Sequence, residues 1–314
     1  MQKISFCIPC YKSEQTLPGV IEEIRTTMEG MKDRYTYEII LVNDASADNT
    51  FEVISKLSES YDNITGVDLA RNFGQHSALM AGFHYVTGDI LVCLDDDGQT
   101  PANEVGKLLD KLEEGEDVVY ARYAHKKHSP FRNFGSFVNE KMAQFLLGKP
   151  KELYVSSYFA ARRFIVDEML KYDKSYPYVI GLVLRSTKRI ANVDVNHRER
   201  EIGRSGYTLG KLLGLWMNGF TAFSVKPLRI ATWIGIGCSI LGFLYGIYTV
   251  IKKLVLGAAV AVGFSALMSA IMFIGGMILF MLGLMGEYIG RMYIGMNNAP
   301  QYVVRQVVGE QGKK

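Results

Sequence analysis

The sequence has little cysteine. Cys7, Cys10, Cys93 and Cys238 are its only thiols in 314 residues, too few and too scattered for a disulfide framework. Cys7 and Cys10 have the C-x-x-C spacing of a redox motif, but residues 5–8 read as a buried strand that fixes Cys7 in a core. Histidine is equally scarce, and no His/Cys set has the spacing of a zinc site. No apolar leader with a small-residue cleavage site opens the chain, so no signal peptide is expected. A G-x-x-x-x-G-K-[ST] phosphate loop is also missing, because Gly206-x-x-x-Gly210-Lys211 has the wrong spacing. Gly235-x-Gly237 falls in an apolar run and is no dinucleotide fingerprint. The basic stretch lacks any recognised reader module, so nucleic acid is not an expected partner.

Charge is what the C-terminal part lacks. Residues 229–314 hold 7 Lys+Arg and 2 Asp+Glu, against 28 and 30 in residues 1–228. Residues 230–251 and 254–286 are runs of 22 and 33 without a charge. A bilayer core takes about 20 apolar residues of helix. Two membrane-spanning helices with a turn near residues 252–262 fit these runs better than a buried core hairpin. Such a hairpin returns the chain to the side it left. Lys226, Arg229, Arg291, Arg305, Lys313 and Lys314 flank it on that side, against Lys252 and Lys253 in the turn. The excess places the large N-terminal domain in the cytoplasm of a multi-pass inner (cytoplasmic) membrane protein. Gly242-x-x-x-Gly246 has a spacing at which helices pack closely, within a chain or in a homo-oligomer. Leu209, Leu212, Leu213, Trp216, Phe220 and Phe223 recur at helical spacing, as in an amphipathic helix lying on membrane lipids. The expected division is 1–207, a soluble domain; 208–228, the juxtamembrane helix; 229–290, two transmembrane helices; and 291–314, a cytoplasmic tail.

The soluble part splits by charge. Residues 1–121 carry 9 Lys+Arg and 22 Asp+Glu, a balance of −13; residues 122–228 carry 19 and 8, a balance of +11. The acidic half suits a metal, and the basic half suits phosphates or an anionic membrane surface. Short apolar runs at 4–9, 38–42, 64–69, 89–94 and 117–121 alternate with helical patterns at 17–31, 50–60, 75–86 and 104–113. This is βαβ alternation, an α/β fold with a parallel sheet covered on both faces. Ligands of such sheets bind beyond the carboxyl ends of the strands. Those ends carry Pro9 and Tyr11, then Asn43-Asp44-Ala45-Ser46, then Arg71-Asn72-Phe73-Gly74, then Asp95-Asp96-Asp97-Gly98-Gln99. Asp44 can hydrogen-bond a base or ribose, or serve its turn and the helix that follows. Three successive carboxylates after a buried strand repel one another unless a cation sits there. Asp95 and Asp97, at alternate positions, can point the same way, and with Gln99 they form an all-oxygen set suited to Mg²⁺ or Mn²⁺.

The run Arg71-Asn72-Phe73-Gly74-Gln75-His76-Ser77-Ala78, then Gly88-Asp89, then Leu94-Asp95-Asp96-Asp97-Gly98-Gln99 resembles the family 2 inverting glycosyltransferases with a GT-A fold. Arg162-Arg163-Phe164-Ile165-Val166-Asp167, His197-Arg198-Glu199-Arg200, Lys226-Pro227-Leu228-Arg229 and Gly286-Glu287-Tyr288-Ile289-Gly290-Arg291 narrow the likeness to the polyprenyl-phosphate glycosyltransferases. The resemblance covers nearly the whole chain. It implies a Rossmann-like, mostly parallel nucleotide-diphospho-sugar transferase domain followed by a transmembrane hairpin. The implied reaction moves a sugar from a nucleotide diphosphate, UDP being the family-based expectation, onto polyprenyl (undecaprenyl) phosphate for cell-envelope glycan modification. Pro9, Tyr11, Asp44, Arg71 and Asp96 would line the nucleotide pocket. Asp95, Asp97 and Gln99 would hold the divalent metal, and Asp95, Asp97 and Arg200 would be the catalytic set. Arg122, Arg132, Arg200 and Ser205 would meet the acceptor phosphate or the donor diphosphate.

The chain departs from the family pattern in four places. Pro9-Cys10-Tyr11-Lys12-Ser13 stands for Pro-x-Tyr-Asn-Glu, and Asn43-Asp44-Ala45-Ser46 for Asp-Asp-Gly-Ser. Ser156-Ser157-Tyr158-Phe159 lacks the usual Asp and Arg, and Ser205-Gly206-Tyr207 stands for Ser-Lys-Tyr. These changes touch base and sugar recognition more than the metal. A processive polysaccharide synthase of the same fold would need a base for a hydroxyl acceptor and a polymer channel. Two helices per chain are too few for a channel unless chains assemble, and the Gln-x-x-Arg-Trp motif of such enzymes is absent. A catalytically inactive membrane scaffold is opposed by the intact carboxylate set. His76 and His197 read as structural or contact residues, because an ionised phosphate acceptor needs little help from a base. The loop 123–136, with Lys126, Lys127, His128 and Arg132, borders the site at the membrane or is a plain solvated loop.

Overall fold

The computed structural model describes residues 1–123, 144, 149–196, 226–256, 263–296 and 299–309. The chain forms two units: Met1–Trp216 with Asn298–Lys314, and Met217–Asn297.

The first unit is built on one sheet. In chain order it contains β1 (Gln2–Cys10), α1 (Leu17–Glu29), β2 (Tyr35–Asn43), α2 (Thr50–Ser60), β3 (Ile64–Leu69), α3 (Gln75–Phe83), β4 (Ile90–Cys93), a 3₁₀ turn (Ala102–Glu104) leading into α4 (Val105–Glu113), β5 (Val118–Tyr123), β6 (Phe159–Arg162), α5 (Arg163–Leu170), α6 (Val179–Ser186), β7 (Ile190–Val195) and β8 (Val304–Val308). The strand order is β7-β5-β6-β4-β1-β2-β3-β8. β4, β1, β2 and β3 are parallel neighbours, and β5 is parallel to β7. β6 runs antiparallel between β4 and β5, and β8 runs antiparallel along β3. The mostly parallel α/β sheet forms as the alternation implies. The fifth strand, however, does not lie beside the fourth, because the short strand β6 separates them.

Burial explains the elements. Ile4 to Cys10 are buried throughout, as expected of a central parallel strand covered on both faces. Cys7 and Cys10, three apart in that strand, point to opposite faces, which leaves the C-x-x-C spacing without a redox geometry. α1 starts with Pro18 in its first turn and buries Leu17, Val20, Ile21, Ile24 and Met28, one helical stripe. α3 is buried from Ser77 to Phe83. Its small residues let it lie close to the sheet: a Cβ on Gly82 would meet Cys7 Sγ at 2.5 Å and Val42 Cγ2 at 2.9 Å.

At the amino end of the sheet, Glu38 is buried on β2. It pairs with Lys3 Nζ at 2.7 Å and accepts Ser5 Oγ at 2.6 Å, the Thr87 amide at 2.7 Å and Thr87 Oγ1 at 2.8 Å. Burial alone would raise this carboxyl; Lys3, Ser5 and Thr87 outweigh it and hold it below its ordinary value of 4.5. A depressed folded-state pKa gives stability that is present above the unfolded-state value and lost as pH falls through the folded one. The melting temperature of the wild type should therefore exceed that of Glu38→Gln near neutral pH, and the gap should shrink as pH falls below about 4.5. A gap that stays constant from pH 7 to about pH 3.5 in a thermal-shift series would refute the linkage.

The second unit contains α7 (Lys226–Leu256) and α8 (Phe264–Met296). Their apolar windows, Leu228–Tyr245 and Phe273–Ile294, are 6% and 0% buried, unlike the core helix of a soluble protein. A 31-residue helix such as α7 is about 46 Å long, more than the roughly 30 Å of a hydrocarbon core. α7 carries Lys252 and Lys253 in its last turns rather than in a turn between the helices. The expected juxtamembrane helix lies outside the described residues up to residue 225. Beyond α8 the chain does not trail away. β8 joins the sheet, and the Val303 carbonyl accepts the Ala70 amide at 2.8 Å.

Candidate active site

The carboxyl ends of β4, β1, β2 and β3 lie side by side, which brings together the four segments that the sequence marks. Their hydrogen bonds run from segment to segment. The Tyr11 amide, after β1, donates to Asp96 Oδ2 at 2.9 Å, after β4. The Lys12 amide donates to Ser46 Oγ at 3.0 Å, after β2. Asp44 accepts the Phe73 and Gly74 amides at 2.7 and 2.8 Å, and its carbonyl accepts Asn72 Nδ2 at 3.2 Å.

Asp44 therefore acts at the entry to α3, where a carboxylate also suits the helix dipole. Burial lifts its carboxyl above the ordinary value against the pull of the two amides. Both oxygens are engaged, each with a lone pair left for a ligand hydroxyl. Ala45 has φ +50°, a left-handed conformation that a glycine adopts more easily. This is the position at which the family turn carries Gly.

The three successive carboxylates diverge in their partners. Asp95 accepts Gln75 Nε2 at 2.9 Å on one oxygen and Ser157 Oγ on the other. Thr100 Oγ1 donates to its carbonyl at 3.3 Å. Asp96 turns to Tyr11, and Asp97 Oδ1 accepts the Gln99 amide at 3.1 Å around Gly98, whose φ is +73°. Burial, then the charges of Asp97 and Asp96, push Asp95 up to about 6, with Ser157 and Gln75 opposing. Ser157 and Gln75 are thus partners of the key carboxylate that sequence reading left out of the site. Their signals were a departure from the family pattern and membership of the Arg71–Ala78 run.

Among the described residues no three His, Cys, Asp or Glu side chains form a metal cage. The available set is two carboxylates supplemented by neutral oxygens, hard donors that suit Mg²⁺ or Mn²⁺, which keep water and substrate oxygens as ligands. Burial raises Asp95 most, and the part of the shift that comes from Asp97 and Asp96 is what a divalent cation would relieve. The residues fit such an ion.

The remaining expected site residues are more dispersed. Pro9 is buried at the end of β1, and Tyr11 is exposed with Lys12 Nζ 5.6 Å from its ring centre. Arg71 is exposed and stacks over Phe73 at 4.6 Å. Arg122 forms a two-point pair with Asp194, Nε to Oδ1 at 2.6 Å and Nη2 to Oδ2 at 3.0 Å, where β5 and β7 are in register. Arg132, Arg200 and Ser205 lie outside the described residues, as does His197. His76 packs edge-on to Tyr178 at 5.0 Å, and burial pushes it down to about 4, so it is neutral at pH 7.

A strand edge of this construction on this sheet is the GT-A arrangement. Glucosyl-3-phosphoglycerate synthase from Mycobacterium tuberculosis, solved with Mn²⁺, UDP-glucose and phosphoglyceric acid, superimposes with a TM-score of 0.53 at 20% identity, over 69% of this chain and 78% of that one. The same enzyme with Mn²⁺, UDP-glucose and glycerol 3-phosphate gives 0.54 at 19% identity, over 71% and 80%. The Glycosyl transferase family 2 profile matches residues 5–170, and the GtrB C-terminal hairpin profile matches residues 226–292. The chain belongs to glycosyl transferase family 2. The undecaprenyl-phosphate 4-deoxy-4-formamido-L-arabinose transferases of Yersinia pestis (strain Pestoides F) and Yersinia pseudotuberculosis serotype O:3 (strain YPIII) are 37% identical to it over 312 residues, 98% of this chain and 94% of theirs.

Proposed function

We propose that this glycosyltransferase moves one sugar from a nucleotide diphosphate, UDP in the first instance, onto undecaprenyl phosphate at the inner (cytoplasmic) membrane. The observation that carries the reading is Asp95, held between Gln75 and Ser157 at the sheet edge beside Asp96, which is bound to the Tyr11 amide. The relatives' 37% identity over 98% of the chain supports the lipid acceptor, and the solved UDP-glucose complexes support the donor class.

In the reaction the bond from the anomeric carbon to the diphosphate breaks, a bond to the lipid phosphate oxygen forms, and the nucleoside diphosphate leaves with inversion. The acceptor is already an anion near neutral pH, so no side chain has to remove a proton from it. What the protein supplies is alignment and charge stabilisation. Pro9, Tyr11, Asp44, Arg71 and Asp96 form the nucleotide side. Asp95, Asp97 and Gln99 would hold Mg²⁺ or Mn²⁺, which when bound neutralises the departing diphosphate. Arg132, Arg200 and Ser205 are assigned to the phosphates, where a guanidinium fork matches two oxygens at once. Arg122 joins them only by exchanging Asp194 for a phosphate.

The domain boundaries are proposed as 1–207, 208–228, 229–290 and 291–314. The chain leaves one folded unit before α7 and rejoins it as β8, which supports an even number of membrane crossings. The lysine and arginine excess at those ends puts the catalytic domain in the cytoplasm. A homo-oligomer would use the small-residue spacing at Gly242 and Gly246.

The test is incubation of the purified chain with undecaprenyl phosphate and a panel of nucleotide sugars, followed by mass analysis of the lipid fraction. A lipid carrying one sugar on its phosphate is expected with a UDP-sugar. A long polymer would favour a processive synthase, and no product with any donor would favour a scaffold.

A further inference from the structure

The strand that follows the membrane helices carries an arginine to the nucleotide end of the sheet. Arg305, on β8, places Nη1 3.4 Å from Asp68 Oδ2 and donates Nη2 to the Ala70 carbonyl at 3.0 Å. Asp68, on β3, is buried, and its other oxygen accepts Asn43 Nδ2 at 2.7 Å. Asn43 ends β2, and its side-chain oxygen accepts the Ser46 amide at 3.2 Å. Ser46 Oγ in turn accepts the Lys12 amide. Cys10, Asn43, Asp68 and Gln306 are register partners across β1, β2, β3 and β8. The hydrogen-bonded path therefore crosses the strands from the tail to the turn after β2.

We propose that Arg305 is a positioning residue for donor binding. It holds the buried Asp68 carboxylate, which holds Asn43, which sets the turn at residues 43–48. Among the described residues Arg305 is the cation that reaches Asp68. A buried carboxylate stripped of its cation is costly and turns toward water, and here that rotation would release Asn43. The turn needs such a hold, because Ala45 sits in the left-handed region at φ +50°. The segment that leads into β8 has other attachments of its own. Ser175 Oγ donates to the Ala299 carbonyl at 2.6 Å, Gln301 Nε2 donates to the Lys174 carbonyl at 2.9 Å, and the Val303 carbonyl accepts the Ala70 amide. Loss of the arginine should thus loosen the turn without detaching the strand. The inference rests on the proposed function only in taking residues 43–48 as part of the donor pocket.

The test uses the full chain in lipid nanodiscs and compares Arg305→Met, Arg305→Lys, Asp68→Asn and the Asp68→Asn/Arg305→Met double variant. Amide hydrogen exchange, read without substrate, should speed up about fivefold at residues 43–48 in Arg305→Met and stay within about twofold in Arg305→Lys. The donor KM, with the UDP-sugar the panel selects, should rise about fivefold in Arg305→Met with kcat within about twofold. In the Asp68→Asn background, where no buried charge is left to compensate, Arg305→Met should change exchange by less than about twofold. Unchanged exchange at 43–48 in Arg305→Met overturns the proposal, as does a fall in kcat with donor KM unmoved. If residues 304–308 also lose protection, additive effects of the two substitutions overturn it and non-additive effects uphold it. The exchange measurement needs no donor, so its failure is distinct from a failure of the donor reading.

Discussion

Asp95→Ala and Asp97→Ala are each expected to lower sugar transfer about a thousandfold or more, with the sheet still folded. Loss of one preorganised stabiliser of developing charge costs about 10²–10³ in rate, and under the proposed metal role loss of a ligand would remove the ion's several kcal/mol as well. Folding should survive for a local reason. Asp95 and Asp97 lie on the loop after β4, beyond the strand that the core covers. Asp95 is disfavoured as an anion by its own burial and by Asp97 and Asp96, so its removal relieves repulsion. The freed partners, Gln75 Nε2 and Ser157 Oγ, are only part-buried, so water can take the place of the lost carboxylate. Lipid labelling and a thermal melt on the same samples check both halves. Activity within about tenfold of wild type in either variant, or full activity in excess chelator, would remove the metal assignment. A collapse of the melt would show these carboxylates to be structural instead.

The strands and helices of residues 1–113 were legible because most of the apolar runs and stripes are buried as their period implies, from Ile4–Cys10 to Val105, Leu108, Leu109 and Leu112. β6 was not, being four residues, Phe-Ala-Ala-Arg, with two alanines of low strand preference. β8 was not, because nothing in Val-Arg-Gln-Val-Val announces that a strand on the far side of two apolar helices pairs with β3. The same holds for the site. The sequence shows which segments follow strands, so Tyr11, Asp44, Arg71 and Asp95–Asp97 could be gathered at one edge. Which partner each takes depends on register and on loop conformation. The reading left Asp44 open between a ligand contact and a local structural role, and the structure gives it two backbone amides of the α3 entry. The family resemblance implied that Arg122 is a phosphate ligand, and nothing in the local sequence shows a competing partner for it. Only the pairing of β5 with β7 reveals Asp194 across from it. Ser157 illustrates the converse: a residue noted as a departure from the family pattern turns out to touch Asp95.

Gly88→Ala should be strongly destabilising, although the residue lies at the end of the sheet opposite the chemistry. An added Cβ would stand 2.6 Å from the Lys3 carbonyl oxygen, 2.7 Å from Ser5 Oγ and 3.0 Å from the Lys3 carbonyl carbon. The backbone oxygen cannot retreat, because Lys3 is fixed twice to the next residue: its carbonyl accepts the Asp89 amide at 2.7 Å, and its own amide donates to Asp89 Oδ2 at 2.8 Å. Ser5 Oγ cannot retreat either, since it accepts the Gly88 amide at 2.8 Å and donates to the buried Glu38. One methyl group therefore presses on the β1–β4 junction and on the Glu38 network together. Overpacking costs about 1–3 kcal/mol, and disruption of a buried polar network adds to it. A loss of about 3 kcal/mol would lower the melting temperature by roughly 6–12 °C in a domain of this size. Gly19→Ala is the control. Its Cβ meets nothing within 4 Å on α1, so it should be neutral or raise the melting temperature slightly, by reducing the freedom of the unfolded chain. If the two variants melt within about 2 °C of each other, close approach is not what makes Gly88 a glycine. If they separate as expected, Gly88-Asp89, a motif first noticed through its likeness to glycosyltransferases, serves the joint between β1 and β4. The loop that carries Asp95 starts at the other end of the same β4, so the motif would support catalysis by fixing the strand from which that loop springs.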